Sequence, residues 1–575
     1  MLKLTSSQLK LTPLMTNEEI GQYEISSASM LKNEPFSFEL VYRSETELRQ
    51  PITVSVKTEL PAEEWRIDYV PVSYAANDYG ESGYVGDLPG LYPDLLEPRP
   101  VDPELVIRGG DKNDPDSEFL INGNRFENNT RYLLNANKQT AQSLLVTINP
   151  DGEELKPGVY EIVCTMRALV SLAELGKAVL RLEVIDALLP EQTECYTNWF
   201  HVDSLCDFYG VEPYSNEFYE LFKSFISNAV KHRMNTLLLP AFTPALDTPI
   251  GYARRNVQLV DITRTESGWE FGFERLKRFM QVASECGIRY FEHCHLFSQW
   301  GAKNAPCIYD ADGNLLFGWK TDAAGEEYTE FIRAYLKAFI AFVRGEGYED
   351  RQIIFHISDE PTGKQIDGYR IAHDTIADLI EGFDQIDALS DVDFYSTGLV
   401  KTPVAFAAEA EKFEGKCPRF WLYYTCGPYA RNCSNRLITN TAARTRVLGL
   451  QMYNYKAAGF LQWGYNFYYD RMSEGWFDPK VNPNGYKLMP GCSYLCYPES
   501  DGAVPSLREV HMREAFDDLR ALKLLEMYIG RDKVLELITE TVGKPDNHLI
   551  PEKNALYSLR ETVNGMIKGV AKCTE

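Results

Sequence analysis

The chain has 575 residues, of which 44% are hydrophobic and 25% are charged. These are the proportions of a globular protein, and the length suggests roughly two to four domains. The formal net charge of -25 argues against nucleic acids and anionic membranes as partners, because both are themselves negative. Neutral and cationic partners stay open.

The amino terminus, MLKLTSSQLKLTPLM, lacks the uninterrupted apolar stretch of a secretory signal. No segment approaches the ~20 apolar residues that cross a bilayer. The 12 cysteines are scattered without disulfide-dense spacing, which is consistent with reduced thiols. We therefore expect a cytoplasmic protein without nucleic-acid or membrane partners.

Residues 1–190 are predicted to form a β-sandwich domain. Alternating stretches such as FSFELVYR, ITVSVKTEL and GVYEIVCTMRA are separated by turn-forming clusters such as NPDGEELKPG. Alternation of apolar and polar residues is typical of strands that turn one face towards a core. An exit strand and linker follow in KAVLRLEVIDALLPEQ.

From about residue 191 the pattern changes to short apolar strands that alternate with helical segments. The candidate strands span 197–203, 234–242, 288–297, 352–360, 391–398, 420–427, 459–467 and 493–498. This alternation predicts a (β/α)8 barrel over 191–530. A doubly wound sheet is the alternative, although no Gly-rich phosphate turn follows a strand. Residues 531–575 are predicted to be a helical tail packed on the barrel.

One predicted strand, in the run IIFHISDEP, ends in the neighbouring carboxylates Asp359 and Glu360. Barrel enzymes carry their sites at the carboxyl ends of their strands. Pro361 disfavours helical geometry at Glu360, so the two side chains should diverge. Another acidic pair, Glu326–Glu327, does not end an apolar run and is interpreted as solvated. Catalysis is the preferred role of Asp359 and Glu360, and a structural or helix-capping role is the alternative.

Two consecutive carboxylates do not easily flank a scissile bond from opposite sides, as ordinary glycosidases require. They suit substrate assistance instead, in which the 2-acetamido oxygen of the sugar attacks the anomeric carbon. Glu360 would protonate the leaving oxygen and later deprotonate water, so its pKa should be raised. Asp359 would orient the acetamido N–H and stabilise the charge of the oxazolinium intermediate.

The other strand ends supply aromatic and polar side chains that suit a neutral polyhydroxylated ligand. The candidate substrate-binding residues are His201, Asp203, His293, His295, Tyr395, Tyr424, Trp463, Tyr465, Asn466 and Asp478. Tyr395 is the first choice for the bond to the acetamido carbonyl, and Tyr424 is the second. Trp463 is the preferred platform for a sugar face. Either of the two tyrosines could equally belong to the core.

His293 and His295 are predicted to share a strand face, from which they could ligate a metal with Asp203. Hydrogen bonds to sugar hydroxyls, or satisfied positions in the barrel mouth, are the preferred interpretation, and we predict no metal and no cofactor. His356 lies three residues before Asp359. Strand alternation therefore places it on the opposite face from Asp359, where it would either pack or support the residues that line the site.

Several motifs resemble glycoside hydrolase family 123. They are TNWFHVDSLCDFYGV, IIFHISDEP, GFLQWGYNFYY with GWFDP, and SYLCYPESDGAVPSLREVHMREAFDDLRALKLLE. The resemblance spans about 195–530 and extends to proteins with a DUF4091 domain. It implies a β-sandwich joined to a (β/α)8 barrel, β-N-acetylgalactosaminidase activity, and the roles given above for Asp359 and Glu360. One departure is GCSYLCYPESDG, where many relatives read like GDGYLVYPG; it bears on which sugar face is recognised.

The predicted function is a retaining, exo-acting glycoside hydrolase that removes terminal β-linked N-acetylgalactosamine through an oxazolinium intermediate. The expected partner is a neutral carbohydrate with a terminal 2-acetamido sugar. Two alternatives stay open: a non-catalytic carbohydrate-binding or scaffold protein, and a glycosidase that acts on a different sugar. The oligomeric state and the preference between N-acetylgalactosamine and N-acetylglucosamine also stay open.

Overall fold

A computed structural model describes most of the chain. The described residues are 1–44, 52–73, 83–86, 89–99, 134, 136, 138, 140–168, 171, 173–244, 248–249, 251–298, 301–426, 433–473, 475–485 and 488–571. The elements of the amino-terminal region are β1 (Leu2–Ser6), α1 (Asn17–Gly21), β2 (Ser27–Leu31), β3 (Phe36–Tyr42), β4 (Ile52–Lys57), β5 (Ala62–Val72), β6 (Gly90–Arg99), β7 (Gln142–Ile148), β8 (Gly158–Ala168) and β9 (Glu174–Ile185).

These strands form two sheets around one core. The first sheet is antiparallel, in the order β1–β3–β7–β5–β6. The second has the order β2–β9–β8–β4, with β2 parallel to β9 and the other pairs antiparallel. Phe38 and Leu144 of the first sheet share a buried cluster with Ile162 and Leu182 of the second. The amino-terminal region is therefore strand-rich, as the alternating sequence predicts.

The second region contains the elements that follow in the chain. They are β10 (Cys195–Asn198), α2 (Val202–Tyr209), α3 (Asn216–Lys231), β11 (Thr236–Leu239), β12 (Asp261–Thr265), β13 (Gly268–Gly272), α4 (Glu274–Glu285), β14 (Tyr290–His293), β15 (Ile308–Tyr309), β16 (Leu315–Phe317), α5 (Glu326–Gly345), β17 (Ile353–Phe355), α6 (Ile366–Ile380), β18 (Asp384–Leu389), α7 (Asp393–Ser396), β19 (Thr402–Phe406), β20 (Trp421–Tyr423), α8 (Ala442–Arg446), α9 (Leu448–Tyr455), β21 (Gly459–Gln462), β22 (Tyr497–Glu499), β23 (Gly502–Val504), α10 (Leu507–Ile529), α11 (Arg531–Val542) and α12 (Ala555–Ala571).

Eight parallel strands form a nearly closed barrel within the described residues. Their order is β10–β21–β20–β19–β18–β17–β14–β11. Asn235 bridges the remaining gap, because its N–H donates to the Tyr196 carbonyl at 3.1 Å and its Oδ1 accepts from the Tyr196 N–H at 2.8 Å. The predicted parallel barrel is confirmed in this form.

Two of the predicted barrel strands are wrong. Segment 391–398 contains the short helix α7, and segment 493–498 only overlaps β22, which pairs with β23 outside the barrel. The strands that complete the barrel are β18 and β19. Strand β18 carries the buried polar residues Gln385 and Asp387, which interrupt the apolar pattern by which buried strands are usually recognised.

Helices accompany the barrel strands unevenly. Long helices follow β10, β11, β14 and β17, but β18 is followed by a helix of 4 residues and β19 by a 3₁₀ helix at Ala407–Lys412. Within the described residues, a regular (β/α)8 alternation is thus present on one part of the barrel only. Among the described helices, none is long and apolar enough to cross a bilayer.

Helix α10 lies between the barrel and the amino-terminal region, and it is buried along most of its length. It begins at a capping box in which Ser506 and Glu509 satisfy each other's backbone N–H groups. Leu507 packs with Ile67 of β5, and farther along the helix Phe516 stacks on Tyr196 of β10, with the ring centroids 4.4 Å apart. The two regions therefore share this helix as a common packing element.

Candidate active site

The acidic pair lies in a loop at the carboxyl end of β17. This strand ends at Phe355, earlier than the predicted end at residue 360. Asp387 of β18 explains the early end, because its carboxylate accepts the backbone N–H groups of Ile357 at 3.1 Å and Ser358 at 3.5 Å. A side chain therefore replaces the neighbouring strand as the hydrogen-bond partner, and the backbone is free to turn before Asp359.

Glu360 has a strained backbone, with φ at +42°. The expected departure from right-handed helical geometry before Pro361 is present, but it takes the left-handed form, which residues other than glycine seldom adopt. Strain of this kind is concentrated at functional sites. The Glu360 side chain is exposed and Asp359 is half-buried. The hydroxyl of Tyr423, at the end of β20, donates a hydrogen bond to Glu360 Oε1 at 3.0 Å.

Both carboxyls hold their protons more tightly than usual. Burial and the negative charge of Glu360 raise the pKa of Asp359 well above its ordinary value, and the positive charge of His356 opposes this rise. Partial loss of solvation next to the surrounding protein atoms also raises the pKa of Glu360, although its side chain is exposed. The hydrogen bond from the Tyr423 hydroxyl lowers the pKa of Glu360. Two neighbouring like charges are unfavourable. The pair therefore retains one proton over a range in which isolated carboxyls would have lost both.

A buried polar cluster inside the barrel lies close to the pair. Nε2 of His356 donates to Glu292 Oε2 at 2.7 Å, and its Nδ1 lies 3.6 Å from Asp387 Oδ1. Trp199 Nε1 donates to the same Glu292 oxygen at 3.0 Å, and the Tyr369 hydroxyl donates to Asp387. Burial alone would lower the pKa of His356, but Asp387 and Glu292 outweigh it and raise the pKa to about 9. His356 is therefore a cation at neutral pH.

His295 adjoins this cluster, with its ring centroid 4.7 Å from that of His356. The donor atoms of His295, His356 and Asp387 all lie within 4.8 Å of one another, so these three side chains could hold a metal ion. A proton on His356 would compete with such an ion for the same nitrogen lone pair. The charges of Glu292 and Asp387 are then already balanced in part by the imidazolium.

Four of the predicted binding residues form a second cluster at the ends of β10 and β21. His201 Nε2 donates to the Trp463 carbonyl at 2.8 Å, and Asn466 bonds the backbone N–H and carbonyl of His201 at 2.8 and 3.1 Å. Arg254 donates to both oxygens of Asp203 at 2.6 and 2.7 Å and to His201 Nδ1 at 3.1 Å. These contacts join the segments after the two strands. Burial and Arg254 lower the pKa of His201 well below its ordinary value.

The position of His293 follows from strand alternation in β14. Glu292 points into the barrel, whereas His293 packs on helix α5, where its Nε2 lies 2.7 Å from the Tyr335 hydroxyl. His293 and His295 therefore have different surroundings and do not share a face. His356 follows the end of β17 and points towards Glu292 inside the barrel, where its charge acts on Asp359. The prediction for His356 assumed that the strand continues to Asp359. Strand β17 ends at Phe355, so the alternation of strand faces does not apply to His356.

Three predicted residues that follow β20 and β21 have partners other than the acidic pair. Tyr424 packs towards α10, with its hydroxyl 3.5 Å from Met512 Sδ. Tyr465 is buried, and its hydroxyl accepts from Asn228 at 2.9 Å. Asp478 accepts the Lys480 N–H at 2.9 Å in a turn.

Two predicted aromatic residues keep part of their surface free. Tyr395 lies on α7, in the connection after β18, and is half-buried. Trp463 directly follows β21 and is also half-buried. Both therefore lie on the carboxyl side of the barrel strands, where substrates of barrel enzymes bind.

The predicted binding residues did not include Trp199, Glu292 and Asp387, which contact His356 beside the acidic pair. Of the two tyrosines at the end of β20, the prediction preferred Tyr424 to Tyr423, which bonds Glu360. A usable signal existed for Glu292, which is a carboxylate inside the apolar run IRYFEHCHLF. Buried carboxylates in strands are rare and need partners. Tyr423 could not be preferred over Tyr424, because both stand in one aromatic run.

The chain was also compared with known proteins. The model of the family described as Glycoside hydrolase 123, catalytic domain, matches residues 199–525. The structure of a family 123 glycoside hydrolase from Clostridium perfringens, studied for glycolipid glycan hydrolysis, has a TM-score of 0.71 and 12% identity, and the match covers 100% of this chain and 98% of that one. That likeness shows the fold. No curated protein matches the chain.

Two further structures are less similar. A putative beta-galactosidase from Bacteroides fragilis has a TM-score of 0.30 and 10% identity, covering 88% of this chain and 60% of that one. A GH2 beta-galacturonidase from Eisenbergiella tayi has a TM-score of 0.31 and 11% identity, covering 90% of this chain and 72% of that one. Scores this low do not indicate a shared overall fold. The family model, however, spans more than half of the residues, and the chain therefore belongs to glycoside hydrolase family 123.

Proposed function

We propose that this glycoside hydrolase is exo-acting and retaining, and that it removes terminal β-linked N-acetylgalactosamine by substrate-assisted catalysis. The supporting observation is the adjacency of Asp359 and Glu360 in one loop, with the pKa of each raised. Conventional pairs approach the scissile bond from opposite sides. Adjacent carboxyls are better placed to serve two neighbouring atoms of one sugar ring.

Glu360 acts as the acid and then as the base. In the first step its proton goes to the glycosidic oxygen, the bond from that oxygen to the anomeric carbon breaks, and the acetamido carbonyl oxygen attacks that carbon. In the second step the Glu360 carboxylate takes a proton from water. The water oxygen attacks the anomeric carbon, and the oxazolinium ring opens. Two inversions give net retention of configuration.

Asp359 serves the acetamido group. Its carboxylate accepts the acetamido N–H, and a hydrogen bond to the charged form favours that form. Substrate binding therefore leaves the proton of the pair on Glu360, where the first step needs it. The buried cation His356 also favours anionic Asp359. As the oxazolinium develops positive charge, this carboxylate stabilises it.

Three of the candidate sugar contacts remain in this proposal. Trp463 offers a half-buried ring as a platform, and Tyr395 stays available for the acetamido carbonyl. Buried Nε2 of His295 has no hydrogen-bond partner among the described residues, so a sugar hydroxyl would satisfy it. The relative from Clostridium perfringens was studied for glycolipid glycan hydrolysis. We propose a glycan of that class as the natural substrate.

We also propose a division of the chain into a β-sandwich domain at 1–190, a catalytic barrel at 191–530 and a helical tail at 531–575. The sandwich would support the barrel rather than bind sugar. An observation in favour is the ion pair between Asp94 of β6 and Arg508 of α10, at 2.9 Å, in which both side chains are fully buried. Helix α12 likewise contacts both regions, because Arg560 pairs with Asp518 of α10 and with Glu34.

Wild-type protein is expected to hydrolyse aryl 2-acetamido-β-galactosides and to leave the matched 2-hydroxy glycosides almost untouched, because these lack the internal nucleophile. Replacing the acetyl group by trifluoroacetyl should lower kcat, since the carbonyl oxygen becomes a poorer nucleophile. The β-anomer should appear first in NMR spectra of the products. Equal rates on the 2-acetamido and 2-hydroxy substrates would identify a conventional glycosidase instead. Binding without hydrolysis at any pH would identify a carbohydrate-binding protein.

Tyr423→Phe is expected to move the alkaline limb of the kcat/KM profile to higher pH. The Tyr423 hydroxyl lowers the pKa of Glu360 by stabilising its charged form, so removing the hydroxyl raises that pKa. The acid then keeps its proton longer as the pH rises. Loss of one hydrogen bond to a charged group should lower kcat/KM at the optimum by about tenfold.

Tyr424→Phe is the matched control for this change. It removes the neighbouring hydroxyl, which contacts Met512 and not Glu360, so the pH profile should stay in place. A profile of Tyr423→Phe that coincides with that of wild type would contradict the hydrogen bond to Glu360 in the working enzyme.

A further inference from the structure

Two cysteines meet at the carboxyl end of the barrel. Sγ of Cys426 lies 2.9 Å from Sγ of Cys492, although the two cysteines are 66 positions apart in the chain. Cys426 follows the end of β20 and is half-buried, whereas Cys492 is buried in the segment after β21. A sulfur–sulfur distance this short places the two thiols in direct contact.

The surroundings of the pair connect it to the candidate site. Cys492 is held by its backbone, because its carbonyl accepts from Gln462 Nε2 at 2.7 Å. Both cysteines pack in one apolar cluster with Trp463. Cys426 follows Tyr423, which bonds Glu360, at the end of the same strand. A bond between the cysteines would therefore join the segment that follows Tyr423 to the segment after β21, which begins with Trp463, the proposed sugar platform.

We propose that Cys426 and Cys492 are a dithiol modification site, at which a small-molecule disulfide such as oxidised glutathione forms an intramolecular disulfide. The bond length is about 2.05 Å, so the sulfurs need to approach by less than about 1 Å.

The reaction takes place in two exchanges. The Cys426 thiolate attacks one sulfur of oxidised glutathione, forms a mixed disulfide and releases one glutathione thiolate. Cys492 then gives its proton to solvent and attacks the Cys426 sulfur, which releases the second glutathione. Two protein thiols are oxidised and one glutathione disulfide is reduced to two thiols, so atoms and electrons balance.

The order in which the two cysteines react follows from their exposure to solvent. Cys426 is half-buried and can reach a soluble disulfide, whereas Cys492 is enclosed. Burial and the neighbouring Cys426 also raise the pKa of the Cys492 thiol well above its ordinary value, which disfavours it as the first nucleophile. Cys492 is therefore the resolving cysteine.

The test exposes the folded full-length chain to oxidised glutathione, blocks the remaining thiols with an alkylating reagent, and measures intact mass and cross-linked peptides. Wild type should lose two hydrogen atoms and yield a peptide that joins residues 426 and 492. Cys492→Ser should instead accumulate one glutathione on Cys426. Cys426→Ser should form neither product. Cys286→Ser, which changes a half-buried cysteine at the end of α4, should behave as wild type.

Absence of the 426–492 cross-link in folded wild type would overturn the proposal, as would a Cys492→Ser protein without glutathione on Cys426. Circular dichroism and the melting temperature establish that each variant is folded. If Cys492→Ser does not fold, Cys426→Ser, which changes a half-buried residue, is used as the test variant. The KM for the aryl glycoside should change on oxidation of wild type and return with dithiothreitol. Only this last readout rests on the proposed function, and an unchanged KM in fully cross-linked protein would contradict the link to the sugar platform.

Discussion

Glu360→Gln is expected to lower kcat/KM by about 10²- to 10⁴-fold on an aryl 2-acetamido-β-galactoside with a poor leaving group. Glutamine keeps the shape of the side chain and can still accept the Tyr423 hydrogen bond. It cannot transfer a proton to the glycosidic oxygen. The loss should shrink when the leaving group is a dinitrophenolate, because this anion departs without protonation. A plot of log(kcat/KM) against the pKa of the leaving phenol should therefore be steep for the variant and shallow for wild type.

The alkaline limb of the pH profile should disappear in the same variant, because the group that loses its proton there has been removed. Glu326→Gln is the matched control. It alters an exposed member of another acidic pair, at the start of α5, and kcat/KM should stay unchanged with every leaving group. Wild-type kinetics of Glu360→Gln across the whole series would rule out Glu360 as the acid.

The position of the acidic pair could be predicted because the β-branched run before it marks a buried strand. Which of the neighbouring side chains face the inside of the barrel could not be predicted. In a parallel barrel both faces of a strand are buried, so apolar character does not distinguish the inner from the outer face. Tyr423 and Tyr424 illustrate this: one bonds Glu360 and the other packs against helix α10. Glu292 and His293 are a second example: Glu292 points into the barrel and His293 packs on helix α5, and the sequence does not show which residue takes which face.

The other features that the sequence did not predict depend on contacts between distant segments of the chain. His201 and Asp203 are polar residues at a strand end, as a binding site would require. Their partner Arg254, however, comes from the connection after β11 and occupies both oxygens of Asp203. Nothing local in the sequence indicates that Arg254 reaches them. Strand β18 was missed because Asp387, which interrupts its apolar pattern, is the residue that turns the chain before Asp359.

Asp359→Asn is expected to lower kcat by about 10²- to 10³-fold on the same aryl glycosides, because the oxazolinium then develops its charge without a facing carboxylate. The leaving group should matter no more than in wild type, since Glu360 still supplies the proton. This separates the variant from Glu360→Gln, whose defect grows with the pKa of the leaving phenol. Asp374→Asn, which alters an exposed carboxylate on α6, should keep the wild-type kcat.

The pH profile of Asp359→Asn gives a second, independent sign. A neighbouring negative charge raises the pKa of a carboxyl, so removing the charge of Asp359 should lower the pKa of Glu360. The protonated acid is then lost earlier as the pH rises, and the alkaline limb of kcat/KM moves to lower pH, opposite to the shift expected for Tyr423→Phe. Two opposite shifts from two neighbours of one carboxyl would identify Glu360 as the group that titrates. If Asp359→Asn kept the wild-type kcat, or moved the limb upwards, Asp359 would not be the charged partner of the acetamido group.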